Sequence, residues 1–98
     1  MEREFTAVPY LWDARKADTW VFVDLPTALA DEIDDVAGHA ARGFGSLRVE
    51  VRVGLTTWRT SIFPSDSTFV LPLKKAVRRA EQLEVGGSAT VHLRVLDV

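Results

Sequence analysis

The sequence predicts a mainly β domain, a small closed barrel of six strands with two short helices. Three observations carry this expectation. Short apolar runs recur along the chain and end at Pro, Gly or Asp-Ser turns, which is the punctuation of strands. Only two stretches repeat apolar residues at helical spacing. The run Trp20-Val21-Phe22-Val23 is apolar at every position, as expected of a strand covered on both faces. Six short strands favour a closed barrel over an open sheet, because closure removes the unpaired edges.

Residues 4–12 read as the first strand, with Pro9 marking an edge or a bulge. Asp13 to Ala17 is polar and turn-like, and Asp18 to Asp24 forms a second strand. Leu25-Pro26 ends it. A helix follows with Thr27 as N-cap, and Leu29, Ile33, Val36 and Ala37 form its apolar stripe. Gly38 is the expected stop.

Residues 46–63 give the clearest pattern. Leu47, Val49, Val51 and Val53 alternate with Arg48, Glu50 and Arg52, which describes a half-exposed strand. Gly54-Leu55 fits a two-residue hairpin turn. That turn pairs Val53 with Thr56, Val51 with Trp58, Val49 with Thr60 and Leu47 with Ile62, and it sets Glu50 opposite Arg59. A slip by one residue would set charges against core valines. Ser65-Asp66-Ser67 is turn chemistry, and Thr68 to Leu71 is a fifth strand. A second helix is predicted over 73–83, with Leu73, Ala76, Val77, Ala80 and Leu83 buried. After Gly86-Gly87, Ser88 to Val95 is the last strand. Val91, Leu93 and Val95 lie on one face, and Thr90, His92 and Arg94 on the other.

A chain of 98 residues with this patterning is one domain, 1–98. It has no cysteine, which excludes disulfides, thiolate zinc sites and a cysteine nucleophile. The longest apolar run is four residues, too short to span a membrane as a helix. The start Met-Glu-Arg-Glu has no basic region followed by an apolar one, so a cytoplasmic setting is expected. The net charge of −2 is unevenly spread: residues 1–41 sum to −6 and residues 42–98 to +4. Such a split presents a basic face, unless acids and bases interleave on folding.

The run Gly43-Phe44-Gly45-Ser46, the alternating valines, Trp58-Arg59-Thr60-Ser61-Ile62-Phe63-Pro64 and Leu71-Pro72-Leu73-Lys74-Lys75-Ala76-Val77-Arg78 together resemble the bacterial family called domain of unknown function 1905. Trp20-Val21-Phe22-Val23-Asp24-Leu25-Pro26 is similar to that family's first half. Gly86-Gly87 departs from the Gly-Asp usual in the family, so a turn hydrogen bond from an Asp is not expected. The resemblance implies a six-stranded split barrel akin to those of AbrB-type and MraZ-type transcription factors. In related bacterial proteins the domain is often joined to a YdeI-type domain. The resemblance implies no activity and no cofactor.

Four bases crowd into Lys74, Lys75, Arg78 and Arg79. If the helix begins at residue 73, Lys74 and Lys75 oppose its dipole, and a bound anion would compensate. The alternative is a solvated face near Glu81 and Glu84. Trp58 shares the valine face of its hairpin, where core packing is the simpler role and Thr60 or a backbone carbonyl could accept its indole N–H. With a lateral pocket, Trp20 and Trp58 would be its apolar walls. His39 and His92 have no carboxylate spacing that suggests a metal, and no catalytic motif is present. The expected function is a cofactor-free binding module for a small anionic or amphipathic ligand, held by Trp20, Trp58, Thr60, Lys74 and Arg78, in a monomer or homodimer. The alternatives are an AbrB-like nucleic-acid-binding protein and a cofactor-free biosynthetic enzyme.

Overall fold

The computed structural model describes residues 1–11, 20–38 and 45–96. The Asp13 to Ala17 turn, Trp12, His39 and Gly43-Phe44 lie outside the described residues. The elements in chain order are β1 (Glu2–Ala7), β2 (Tyr10–Leu11), β3 (Val21–Asp24), α1 (Thr27–Ala37), β4 (Leu47–Val53), β5 (Thr56–Ser65), β6 (Thr68–Pro72), α2 (Lys75–Ala80) and β7 (Ala89–Val95).

Seven strands form one antiparallel sheet in the order β1-β7-β4-β5-β6-β3-β2, curled into a half-barrel. The strand count corrects the expected six. The first predicted strand breaks at Val8-Pro9, where proline has no N–H to continue a ladder. Its two pieces pair at opposite edges: β1 with β7, and β2 with β3. Pro9 is buried at this corner, and its carbonyl accepts the Gly86 N–H at 3.0 Å. The opposite corner is β5, whose residues 56–62 pair with β4 and whose residues 63–65 pair with β6. The sheet therefore has two layers, β1-β7-β4-β5 and β5-β6-β3-β2.

The core lies between the layers. Period-two alternation sends Leu47, Val49, Val51, Val53, Val91, Leu93 and Val95 inward from the first layer. Ile62 comes inward at the β5 corner, Val21, Val23, Phe69 and Leu71 from the second layer, and Leu29, Ala30 and Ile33 from α1. The β4–β5 hairpin has the predicted register from Leu47↔Ile62 to Val53↔Thr56. Gly54 turns it with φ +58°, a backbone that glycine adopts without steric cost.

Both helices differ from expectation. Thr27 is the first helical residue and not the N-cap, because the Pro26 carbonyl already accepts the Ala30 N–H. Leu29, Ala30 and Ile33 are the buried stripe, whereas Val36 is 57% exposed. Gly38 stops α1 as predicted, its N–H donating to the Asp34 carbonyl. α2 covers six residues and not 73–83. Leu73 is in the core but extends β6: its N–H donates to the Val21 carbonyl at 2.8 Å. Lys74 is extended and precedes the helix, and Ala76 and Ala80 face outward. Of the three cations on the helix, Lys75 begins it and still opposes the dipole, whereas Arg78 and Arg79 occupy its last turn, where they suit it.

Candidate functional site

The two layers turn opposite kinds of surface outward. On the first layer the strand register aligns Glu2, Arg94, Glu50 and Arg59 in one row across four strands. Glu50 accepts from Arg94 Nη2 at 2.9 Å and from Arg59 Nε at 3.4 Å. The next row runs Glu4, His92, Arg52, Thr57, with His92 Nε2 2.7 Å from the Glu4 carboxylate. Signs alternate along the first row and from Glu50 to Arg52 along β4, while Glu2 and Glu4 on β1 share a sign, a mixed pattern that suits a solvated sheet face. This is the interleaving that the half-chain charge split left open.

The second layer is different. Val21 and Val23 point into the core, so Trp20, Phe22 and Asp24 point out. Phe69 and Leu71 point in, so Val70 and Pro72 point out, and Phe63 lies opposite Val70. Phe22 lies opposite Pro72, and Asp24 opposite Val70. The outward side of this layer is therefore an apolar strip of Trp20, Phe22, Pro72, Val70 and Phe63. Trp20 is 59% exposed and Phe63 43%, while Phe22 is buried at 7% with the Trp20 ring 6.2 Å from its own. The Leu73–Val21 hydrogen bond prolongs the β3–β6 ladder, and one further step of that register sets Lys74 opposite Trp20. Lys74 is exposed and has no ion-pair partner among the described residues.

The other end of the strip is acidic and hollow. The Tyr10 hydroxyl donates to Asp24 Oδ1 at 2.6 Å. Its pKa is pushed up to about 12, first by burial, then by this hydrogen bond and the negative charges of Asp24 and Asp66. A cavity of about 510 Å³ opens there, lined by Tyr10, Asp24, Ser65, Asp66 and Thr68 among others. A second, of about 370 Å³, shares Asp66, Ser67 and Thr68 and continues to Asp31 and Asp34 on α1. Among the described residues, no three His, Asp or Glu side chains converge as metal ligands.

The five residues expected to hold a ligand are divided by the sheet. Trp20 and Lys74 stand on the outward side of the second layer. Trp58 and Thr60 stand on the inward side of β5 with Ile62, and Trp58 is half-buried against the core. Its indole Nε1 is buried and has no hydrogen-bond acceptor, so neither Thr60 nor a carbonyl satisfies it. Arg78 is half-buried on α2, where its Nε donates to the Leu73 carbonyl at 3.1 Å. Beyond the end of α2, Glu81 accepts the Thr56 hydroxyl at 2.6 Å, tying this segment to the β4–β5 hairpin beside Gly54.

Sequence reasoning missed Phe63, Val70, the Tyr10–Asp24 pair and the hollow. A signal for the first two was present. If Val21 and Val23 fill the core, Trp20 and Phe22 must face the other way, and the β5–β6 turn brings Phe63 and Val70 to the same side.

Fold and surface thus define a small mainly β domain, a curled antiparallel sheet with one charged and one apolar outer face. Residues 5–93 match the family model described as Domain of unknown function (DUF1905). The chain belongs to that family. No curated protein matches the sequence.

Proposed function

We propose that this domain is a binding module whose working surface is the outer face of its second layer. Its ligand is amphipathic, with an apolar body against Trp20, Pro72 and Val70 and an anionic end at Lys74. The observation that carries this reading is Trp20, 59% exposed at the rim of an apolar strip on a sheet whose other outer face is a charge lattice. Apolar area left in water forgoes about 25 cal/mol per Å², so Trp20 and Phe63, exposed on either side of the buried Phe22, mark this strip as a surface that is covered in use. The unpaired Lys74 ammonium beside it supplies the electrostatic half of the match. Trp58 and Thr60 face the core and support the fold.

The split-barrel architecture of the family resemblance is part of the same proposal. It is supported by β1 and β2, which follow one another in the chain yet lie at the two edges of the curled sheet. The nucleic-acid alternative is weakened by the first layer, where Glu50 binds both Arg59 and Arg94 and leaves no continuous basic stripe there.

The test uses anilinonaphthalene sulfonate, an anionic amphiphile whose fluorescence reports burial. The folded chain should bind it saturably, with about tenfold weaker affinity in Trp20→Ser and a several-fold loss in Lys74→Glu. Arg52→Glu makes the same charge change on the other face and should leave binding intact. Equal affinity in wild type, Trp20→Ser and Lys74→Glu would place binding elsewhere.

A further inference from the structure

The outward side of β6 is a single row of side chains with opposite, unpaired charges at its two ends. Phe69, Leu71 and Leu73 point into the core, so Thr68, Val70, Pro72 and the extended Lys74 point out. Phe63 flanks Val70 on one side, and by register Trp20 flanks Lys74 on the other. Phe22 is already buried beside Trp20 and is left to one side. At the Lys74 end, Lys75 is exposed as well. At the Thr68 end, the Asp24 and Asp66 carboxylates line the cavity of about 510 Å³ with the hydroxyls of Tyr10, Ser65 and Thr68. Neither Lys74 nor Asp66 has an ion-pair partner among the described residues. The first layer differs, since Glu50 there pairs with both Arg59 and Arg94.

We propose that the amphipathic ligand of this face is an extended peptide segment laid along β6, with a basic side chain in the hollow and an acidic one at Lys74. This rests on the reading of the outer face as the working surface and names its occupant. Charge complementarity at the two ends selects a partner that carries both signs. Asp24 accepts the Tyr10 hydroxyl through Oδ1, and its Oδ2 has no donor among the described residues, so that oxygen and Asp66 receive the base. The spacing sets the length. Lys74 lies four residues from Val70, the row of Asp24, and six from Thr68, which lines the hollow. At about 3.4 Å per residue these separations are about 14 and 20 Å. An extended segment has the same rise, so its base and its acid stand about four to six positions apart. The width also fits a strand. Residues 56–62 of β5 pair with β4 and not with β6, so the floor of Val70 and Pro72 is one strand wide. A helix is about 10 Å across and too broad for it. The apolar side chains of the segment lie on Val70 and Pro72, between Trp20 and Phe63.

Chemical-shift titration of the isotope-labelled full chain tests this, with the acetylated and amidated hexapeptide Arg-Thr-Val-Thr-Val-Glu as probe. Its two charges stand about 17 Å apart when extended. The amides of Ser67, Thr68, Val70 and Lys74 and the indole of Trp20 should shift saturably. Gln in place of the peptide's Arg or of its Glu should each weaken binding about threefold to fivefold, the contribution of one exposed ion pair. Asp66→Asn, which suits the left-handed backbone of φ +51° at that turn, and Lys74→Gln should do the same. In Lys74→Gln the exchange of the peptide's Glu for Gln should cost nothing further, because its partner is already gone. The capped tripeptide Arg-Thr-Glu reaches one end only and should bind at least about threefold more weakly than the hexapeptide. Absence of saturable shifts at these residues with millimolar hexapeptide overturns the proposal, as does equal affinity for the Gln-substituted peptides. The anilinonaphthalene sulfonate titration separates the two levels. Dye affinity that still depends on Trp20 and Lys74, without peptide binding, overturns the peptide alone. Loss of that dependence overturns the reading of the face as well.

Discussion

Replacing Gly54 by alanine probes how the segment after α2 is locked to the β4–β5 hairpin. Gly54 has φ +58°, and a Cβ there would overlap Glu81 Oε1 and stand 2.8 Å from Glu81 Cδ. The left-handed backbone alone costs an L-residue about 1–2 kcal/mol. The carboxylate ends a flexible side chain, so it moves aside, and its 2.6 Å hydrogen bond from Thr56 is lost with it. A hydrogen bond to a charged group contributes about 1.5–3 kcal/mol. Gly54→Ala should therefore destabilise the domain by about 2.5–5 kcal/mol. In a Glu81→Ala background only the backbone cost of about 1–2 kcal/mol remains, which leaves a coupling of about 1.5–3 kcal/mol between the two positions. Urea unfolding of the four proteins of this cycle, followed by tryptophan fluorescence, measures it. If Gly54→Ala costs the same with and without Glu81, the carboxylate does not hold the hairpin and the reasoning fails.

Two further outcomes follow from the same geometry. Tyr10 is the only tyrosine in the chain, so phenolate absorbance reports it alone. Its midpoint should lie near 12 and fall toward 10 in Asp24→Asn. Because the folded value is raised, the stability linked to this group is complete below about pH 10 and is lost as pH rises toward 12. In Tyr10→Phe that alkaline component should be absent from the pH dependence of unfolding. Trp58→Ala should cost about 3 kcal/mol, the low end of the range for aromatic truncation, because the residue is only half-buried. Trp58→Phe should cost less than about 1.5 kcal/mol, since it removes an N–H that has no acceptor to lose. Equal losses in the two variants, by chemical denaturation, would mean that the indole N–H is bonded after all.

Where one physical rule governed a segment, the sequence was sufficient. The β4–β5 register came from alternation and a two-residue turn, which leave one solution that keeps every valine inside. Gly38 and the face assignment of β7 followed in the same way. The sequence overextends helix α2 because Leu73, Val77, Ala80 and Leu83 follow one another at steps of four, three and three, yet Leu73 is buried by adding to the β3–β6 ladder. Periodicity alone does not distinguish those two ways of burying a leucine. The break at Val8-Pro9 was marked by the proline, but its meaning was not: pairing β1 with one edge and β2 with the other is set by strands far away in sequence. The candidate surface was half legible. Trp20 and Lys74 were singled out separately, and what joins them is a long-range register between β3 and β6. The acidic hollow draws on Tyr10, Asp24 and Asp66, three short-range patterns with nothing in common until the sheet curls.

The division of one stretch of chain between two sheet edges also bears on the order of assembly. The β4–β5 hairpin closes a two-residue loop and can form early, whereas β1 meets β7 only across nearly the whole chain, from Glu2 to Arg94. Closing so long a loop brings no reward until the intervening strands are in place, so docking of β1 and β2 belongs late in folding. Until that segment arrives, β7 and β3 each present an unpaired edge, and a single event caps both. A chain stalled one step short of the native state thus exposes two templates for strand pairing at once, the condition under which β proteins aggregate during refolding.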